Sequence, residues 1–267
     1  MAVRTFDGVQ AAAVENPAPR RRAAARTVPR ILAPVVLFAL LGIGWQWVAA
    51  KQPSVLPPLG GVLGDLAAQP GFYLSNLRET LASALIGGTA GIGVALLLAV
   101  IVVHAPWLGS AVMPAAVLIH ATPILAIAPA LIVAFGFGRT PHVIVVALIT
   151  FFPMLINAIT GLRAVDPQAL EVFRSMAASR RDVFFRLRVP SSLGYLFSSG
   201  KTCVTLAVIG AIVSEFTGTD KGIGAVIVQS TTYLNLVQMW GAIFVAALCS
   251  LTLLGLVGLA ERLVVRW

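Results

Sequence analysis

The stretch "GLRAVDPQALEVFRSMAASRRDVFFRLRVPSSLGYL", residues 161–196, separates two long apolar runs. Asp166-Pro167 is typical of a helix start, with a capping Asp before a Pro at the first helical position. Ser179 is placed to cap a second short helix, which Pro190 is expected to end. Both helices carry apolar residues at helical spacing, namely Ala169, Leu170, Val172, Phe173, Met176 and Ala177 in the first and Val183, Phe184 and Leu187 in the second. The stretch therefore predicts a hairpin of two short amphipathic helices between membrane spans.

The composition predicts an all-α protein that crosses a membrane several times. Of its 267 residues, 58% are hydrophobic and 11% are charged, whereas a soluble chain has about 25% charged residues. A span needs about 20 apolar residues, and six candidates are present: 31–50, 80–103, 111–134, 142–160, 193–214 and 239–260. We therefore expect six transmembrane helices in a domain covering 31–267, with the hairpin, about 161–192, between helices four and five. Residues 1–30 are basic and lack apolar periodicity, which predicts a disordered tail.

The distribution of Lys and Arg predicts the orientation of the chain, because cytoplasmic segments carry an excess of both. Arginines are dense in 1–30, in 161–192 and at the C-terminus, whereas the intervening connections carry only Lys51, Arg78, Arg139 and Lys221. We therefore expect the hairpin and both termini to be cytoplasmic. The net charge of +9 is explained by this topology, and no basic-aromatic face indicates nucleic-acid binding.

Several features that suggest other chemistry are better explained by a membrane setting. Gly200-Lys201-Thr202 resembles the end of a phosphate-binding loop, but the motif needs a glycine at the position of Tyr195. We therefore interpret Lys201 as a membrane-helix lysine that extends toward water. Cys203 and Cys249 lie in apolar runs, and the three histidines have no metal-site spacing. No catalytic motif is in register, so we expect neither an enzyme nor a metal site in this chain.

Prolines interrupt two of the candidate spans. Pro123 and Pro129 lie in the third span and Pro153 in the fourth, where a proline removes a backbone hydrogen bond and bends a helix. These bends are consistent either with a transport pathway or with simple packing. Asn157, one turn after Pro153, is interpreted as an interhelical hydrogen-bonding residue or as a pathway group. Residues 217–238 are mildly apolar and are expected to be re-entrant or to lie on the membrane.

The hairpin and its surroundings resemble the membrane subunit of bacterial ABC importers, the binding-protein-dependent permeases. That family has a cytoplasmic pattern E-A-A-x-x-x-G, which falls here on 171–177 as a degenerate copy. Glu171 matches, Val172 and Phe173 stand at the two alanine positions, and Ala177 stands at the glycine position. Pro123-x-x-Ala126-x-x-Pro129 and Ser214-Glu215 resemble the branch that imports nitrate, sulfonates, taurine and similar solutes. Lys201 also falls where those permeases often carry a basic residue. The resemblance covers about 55–267.

This resemblance implies an importer with several subunits in the bacterial inner membrane. It implies a second copy of the permease, two cytoplasmic ATPase subunits that carry ATP and Mg²⁺, and an extracytoplasmic substrate-binding protein. The chain itself would bind no cofactor. The coupling helix would lie in a groove of the ATPase, with the residues Glu171, Arg174, Ala177, Ala178, Ser179 and Arg180. The pathway or helix-bend candidates are Pro123, Ala126, Pro129, Pro153, Asn157, Lys201 and Glu215.

Two other functions compete with the importer permease. A stand-alone secondary transporter or channel would work without an ATPase, but ionisable groups at mid-depth, which such proteins use, are nearly absent here. A membrane scaffold would show no transport. The substrate stays open between a sulfonate-, taurine- or nitrate-like anion and a vitamin precursor.

Overall fold

The computed structural model describes residues 32–265, so the predicted tail at 1–30 lies outside the described residues. Within that range every regular element is helical. The elements are α1 (Leu32–Lys51), α2 (Leu59–Ala68), α3 (Pro70–His104), α4 (Pro106–Ala121), α5 (Ile124–Phe135), α6 (Arg139–Arg163), α7 (Pro167–Ser175), α8 (Arg180–Val183), a π-helical turn (Phe184–Arg188), α9 (Val189–Ser214), α10 (Ile223–Thr232) and α11 (Leu236–Val264). The chain divides into two compact units, of which the first ends at Trp45 and the second begins at Gln46.

Five described helices are long and apolar enough to span a membrane by length and composition, and α4 with α5 supplies a sixth span if the bent pair is counted as one. The all-helical, multi-span class is therefore confirmed. The predicted second span starts too late, because α3 begins at Pro70. Asn76 and Thr80 make that first part polar, but both side chains are buried against α10. Residues 63–77, a stretch whose polarity suggests a short interfacial helix between two spans, instead fall in two helices, since α2 ends at Ala68 and α3 starts two residues later.

The second unit is built around α3, α6 and α9, which pack closely because small residues line their contacts. A Cβ added to Gly91 would lie 2.3 Å from the carbonyl oxygen of Ala147 in α6. Such close approach lets apolar helices associate through backbone contact. Buried residues from all three helices and α4 share one cluster, which includes Ala95, Ala99, Val102, Ala116, Leu155, Ala158 and Cys203.

The helices define two ends of this bundle. At the hairpin end, the ring of His104 at the end of α3 lies 4.9 Å from that of Phe184. At the opposite end, the hydroxyl of Tyr73 near the start of α3 donates to the carbonyl of Gln238 at the start of α11, at 3.4 Å. Helices α3, α6 and α11 therefore run toward the hairpin end, and α9 runs away from it.

The predicted third span is not one continuous helix. Helix α4 ends at Ala121, α5 begins at Ile124, and the two axes are bent by 100°. Pro123 lies in extended conformation before α5 rather than inside a helix. The proline has no N–H to continue the ladder of α4 and disfavours a helical conformation at Thr122, which is also extended.

The expectation that Pro190 ends the second hairpin helix is wrong. The chain stays helical from Arg180 to Ser214, through the π-helical turn and into α9. In this turn the N–H of Val189 donates to the carbonyl of Phe184, five residues back. Pro190 then occupies the first turn of α9, where its missing N–H costs little.

Candidate functional site

The hairpin formed by α7, α8 and their connection is held by a cap at the start of each helix. The carboxylate of Asp166 accepts from the N–H of Gln168 at 2.9 Å, and the hydroxyl of Ser179 accepts from the N–H of Asp182 at 3.2 Å. Both predicted helix starts are therefore confirmed. Side-chain caps of this kind stabilise a helix by about 1 kcal/mol, which matters most for α7, a helix of only nine residues.

The position of the family glycine has a left-handed backbone, although the residue is alanine. Ala177 has φ +51. Its N–H donates to the carbonyl of Arg174, and the N–H of Ala178 donates to that of Phe173, both at 3.0 Å. This pair of bonds is the Schellman arrangement, in which the left-handed residue is usually glycine. The bend between the two hairpin helices is therefore made despite the missing glycine.

The first hairpin helix presents apolar side chains to its surroundings. Val172 is 56% exposed and Met176 74%, while Leu170 and Phe173 are half-buried. Glu171 is exposed beside Val172. The helix therefore exposes a carboxylate and two apolar side chains on a segment anchored at both ends.

Two of the predicted coupling arginines line a cleft behind the hairpin. Arg174 and Arg180 share a cavity of about 400 Å³ with Ala178, His104 and Arg188. The guanidinium of Arg188 donates to the carbonyl of Leu162, in the last turn of α6, at 3.1 Å. This bond joins the base of the hairpin to the α3–α6–α9 bundle, so the hairpin is connected to the membrane helices by more than its two chain ends.

Glu215 lies in a buried polar cluster at the opposite end of the bundle. Its side chain is 3% exposed, and its carboxylate accepts from the hydroxyl of Thr80 and the N–H of Gly224, both at 2.9 Å. The hydroxyl of Thr80 accepts in turn from the N–H of Ile223 at 2.8 Å, and the amide oxygen of Asn76 accepts from the N–H of Gly222 at 2.9 Å. Three consecutive N–H groups at the start of α10 are thus bonded by side chains from elsewhere in the chain.

Neither of the two glycines of this cluster could carry a side chain without a steric clash. A Cβ on Gly222, where φ is +108, would lie 2.4 Å from the carboxyl of Glu215, and one on Gly224 would lie 2.0 Å from the carbonyl oxygen of Ile212. The sequence pattern did not lead us to predict this cluster, although Asn76 and Thr80 are four residues apart and therefore lie on one helix face. That spacing and the Gly-Ile-Gly segment are the signals that indicate it.

Burial raises the pKa of Glu215 to about 7, against the N–H of Gly224 and the hydroxyl of Thr80, which lower it. The carboxylate of Glu79 adds a smaller rise through its negative charge. The position of Glu215 beyond the last residue of α9 and inside a hydrogen-bonded cluster indicates a structural role for this side chain.

The predicted pathway candidates lie at several places. Ala126 and Pro129 are exposed on α5, one turn apart, and Pro123 precedes that helix. Pro153 is half-buried inside α6, and the side chain of Asn157 donates to the carbonyl of Pro153 in the same helix at 2.8 Å. The bond between helices is made instead by Ser199, whose hydroxyl donates to that carbonyl at 3.0 Å.

Lys201 lies within α9 and forms a half-buried ion pair with Glu261 of α11. Gly200 and Thr202 are also interior to α9, so their backbone N–H groups are placed in the helical ladder. The Gly-Lys-Thr run therefore does not form the phosphate-binding loop that its letters suggest, and its lysine is neutralised by a glutamate of another helix.

Comparison with known proteins gives the family. Residues 87–267 match the model of the binding-protein-dependent transport system inner membrane component. The formylaminopyrimidine transport permease ThiX of Halalkalibacterium halodurans is 32% identical, over 88% of this chain and 96% of that protein. The riboflavin transport permease RibX of Chloroflexus aurantiacus is 34% identical, over 90% and 91%. The taurine transport permease TauC of Escherichia coli is 27% identical, over 85% and 86%.

Solved structures give the same fold. A chain of the inward-facing MetNI methionine ABC transporter aligns with a TM-score of 0.66 at 16% identity, over 74% of this chain and 99% of that one. An amino acid ABC transporter aligns with a TM-score of 0.62 at 19% identity. The chain belongs to the family of binding-protein-dependent transport system inner membrane components and is a multi-pass permease subunit of an ABC importer, a transport subunit whose ATPase is a separate chain.

Proposed function

We propose that this chain forms a homodimeric conduit in the bacterial inner membrane, with both termini and the hairpin in the cytoplasm. Two ATPase subunits, which hold ATP and Mg²⁺, dock on the hairpins, and an extracytoplasmic binding protein delivers the solute. The solute is a vitamin precursor or a sulfonate-, taurine- or nitrate-like anion, the classes named for the relatives. Closure of the ATPases then moves the two membrane halves as rigid bodies.

The observation that carries this proposal is the exposed face of α7. Val172 and Met176 are more than half exposed on a helix whose ends are both fixed by side-chain or Schellman bonds. An amphipathic helix with such a face is suited to a groove on a partner. The bond from Arg188 to α6 gives a rigid route by which movement of the hairpin reaches a membrane helix.

In this arrangement Glu171 anchors the coupling helix on the ATPase, and Arg174 and Arg180 pair with acidic groups of its surface. Ala177, Ala178 and Ser179 form the bend that presents the helix. Glu171 and Arg174 lie in α7, Arg180 is the first residue of α8, and the other residues form the connection between them. The arginine-rich hairpin end is assigned to the cytoplasm by the excess of Lys and Arg there.

The test is reconstitution of the permease with its ATPase and binding protein in liposomes. Glu171→Ala, or a bulky charged residue at Ala177, is expected to abolish solute-stimulated ATP hydrolysis and transport while membrane insertion is unchanged. Gln168→Ala, an exposed position of the same helix, is the control. Full coupled activity in the Glu171 and Ala177 variants would refute the docking assignment. Gradient-driven uptake without any ATPase would favour a stand-alone transporter.

A further inference from the structure

The break between α4 and α5 lies near the middle of the bundle. The ring of His120, two residues before Thr122, stacks on Phe152 of α6 with ring centroids 4.3 Å apart and planes 13° apart. Phe152 is the fourteenth of the 25 residues of α6, so at about 1.5 Å per residue it is about 20 Å from the first residue of that helix and about 16 Å from the last. The apolar core of a membrane is about 30 Å thick, and this level is therefore well inside it.

Exposed polar groups at that depth need hydrogen-bond partners, which lipid tails cannot supply. Helices α4 and α5 leave backbone groups at the break without partners inside their own helix. Irregular backbone at membrane depth is tolerated where protein covers it or where it lines a water-filled cavity. A cavity of about 330 Å³ lies there, lined by His120, Thr122 and Pro123 together with apolar side chains of α6 and α9. Both His120 and Thr122 are exposed.

The lining favours one class of solute over the others. A small inorganic or sulfonate anion in a low-dielectric passage needs a fixed positive charge. The cation that α9 supplies, Lys201, lies five residues from the cavity residue Leu206 toward the hairpin end and is paired with Glu261. The cavity instead offers the flat ring of His120, which stacks on Phe152, together with one hydroxyl and apolar walls. Such a lining suits a planar ring with a few polar edge atoms.

The geometry points to this cavity as a solute contact site of the transport pathway, at which the ring of His120, held by its stack on Phe152, accepts a planar heteroaromatic solute. This inference rests on the proposed importer function and narrows its substrate to the class of pyrimidines and flavins. His120 is the specificity-determining residue, because its ring supplies both a flat surface and ring nitrogens. Thr122 contributes less to solute recognition, because its hydroxyl hydrogen is already donated to the carbonyl of Leu118 at 2.8 Å.

The first test measures whether water reaches the cavity, and it can be carried out without any transported solute. In a variant without Cys203 and Cys249, a cysteine is placed at Thr122 or at Thr252 and treated in membranes with a charged thiol reagent. Thr252 is a matched control, because it is exposed and its hydroxyl likewise donates to the carbonyl four residues back. The Thr122→Cys variant is expected to react at least about tenfold faster, since the reagent needs water. Equal rates would overturn the assignment.

The second test measures ATP-dependent uptake by the complete complex of riboflavin, formylaminopyrimidine, taurine and nitrate. Uptake is expected for a heteroaromatic probe, with a fall of about 3- to 10-fold in His120→Ala, a smaller fall in His120→Phe, which keeps the flat ring but loses the ring nitrogens, and no change in Thr252→Val. ATP-dependent uptake confined to taurine or nitrate, or heteroaromatic uptake unaffected by His120→Ala, overturns the inference and leaves the importer function standing. Absence of ATP-dependent uptake of any probe, with no solute-stimulated ATP hydrolysis, overturns both.

Discussion

At the residue scale, Ala177 is the position where this chain departs most clearly from its family pattern. A left-handed conformation costs a non-glycine residue about 1–2 kcal/mol because its Cβ approaches a carbonyl oxygen. The Schellman bonds at Ala177 and Ala178 hold that conformation in place. The hairpin therefore keeps its bend at some cost in stability, and the bend does not require a glycine at this position.

Replacement of Ala177 by Gly is expected to stabilise the hairpin. The strain is removed, while the greater freedom of glycine in the unfolded chain offsets part of the gain, which leaves a few tenths to about 1 kcal/mol. Ala178→Gly is the control and is expected to destabilise, because its φ is not in the left-handed region. Hydrogen exchange of the α7–α8 amides measures both. Faster exchange in Ala177→Gly would contradict the strain argument.

Glu215 gives the protein a pH-dependent stability. Burial raises the pKa of Glu215 from 4.5 to about 7 in the folded protein, so the folded chain holds this proton more tightly than the unfolded chain. The stabilising contribution is fully present below about pH 4.5 and is lost as the pH rises through about 7. Glu215→Gln is expected to reduce the fall in unfolding temperature over that range. Glu171→Gln, at an exposed position, serves as control, and an unchanged slope in Glu215→Gln would refute the assignment.

At the element scale, α10 is an example of a helix whose position is set by other elements. It has ten residues, and a helix that short is marginal by itself. Its N-terminal N–H groups are bonded by Asn76, Thr80 and Glu215, and its buried face packs on α3 and α11 through a cluster that includes Tyr73, Ile223, Val226, Ala242 and Ala246. The expected re-entrant or surface segment is therefore an integral part of the bundle.

Gly224→Ala is expected to displace α10. The added methyl would meet the carbonyl oxygen of Ile212 at 2.0 Å, and overpacking of this kind costs about 1–3 kcal/mol. Gly93→Ala is the matched control, since no atom lies within 4 Å of its added Cβ and alanine favours a helix. Thermal unfolding in detergent should show a lower midpoint for Gly224→Ala alone. Equal unfolding midpoints in the two variants would mean that α10 can shift without loss of stability, which would contradict the prediction.

At the scale of the whole molecule, the two ends of the bundle differ in chemistry. The hairpin end carries Arg163, Arg174, Arg180, Arg181, Arg186 and Arg188, whereas the opposite end has the Glu215 cluster and the exposed turn at Tyr233 and Leu234. The direction of α3, α6, α9 and α11 places these features on opposite faces of any membrane the bundle crosses. The orientation of the whole chain can therefore be read from two surface positions.

Thiol labelling of intact cells tests that orientation. In the variant without Cys203 and Cys249, Tyr233→Cys is expected to react with a membrane-impermeant reagent, because Tyr233 is 82% exposed at the end assigned to the outside. Ser175→Cys in the hairpin is expected to react only after the cells are opened. The reverse pattern would place the hairpin outside and would refute docking to a cytoplasmic ATPase.

Much of the fold was predictable because its signals are local. The apolar runs, the caps at Asp166 and Ser179 and the hairpin between two spans depend on residues within a few positions of each other. The same holds for the family pattern around Glu171. The predictions failed where a nearby polar group or proline was interpreted without its partner, as with the start of α3 and the role of Pro190.

The sequence by itself determined that this chain is a helical, multi-span membrane protein with a capped hairpin, because burial in lipid forces backbone groups to bond within each helix. Only the tertiary structure decided that α4 and α5 are bent by 100°, that Lys201 pairs with Glu261, and that Asn76, Thr80 and Glu215 together hold the start of α10. Most of these contacts join residues 60 to 146 positions apart, although Glu215 and Gly224 are only nine apart, and the bend depends on how neighbouring helices cover a break. Such pairings are set by packing and by the need to satisfy buried polar groups.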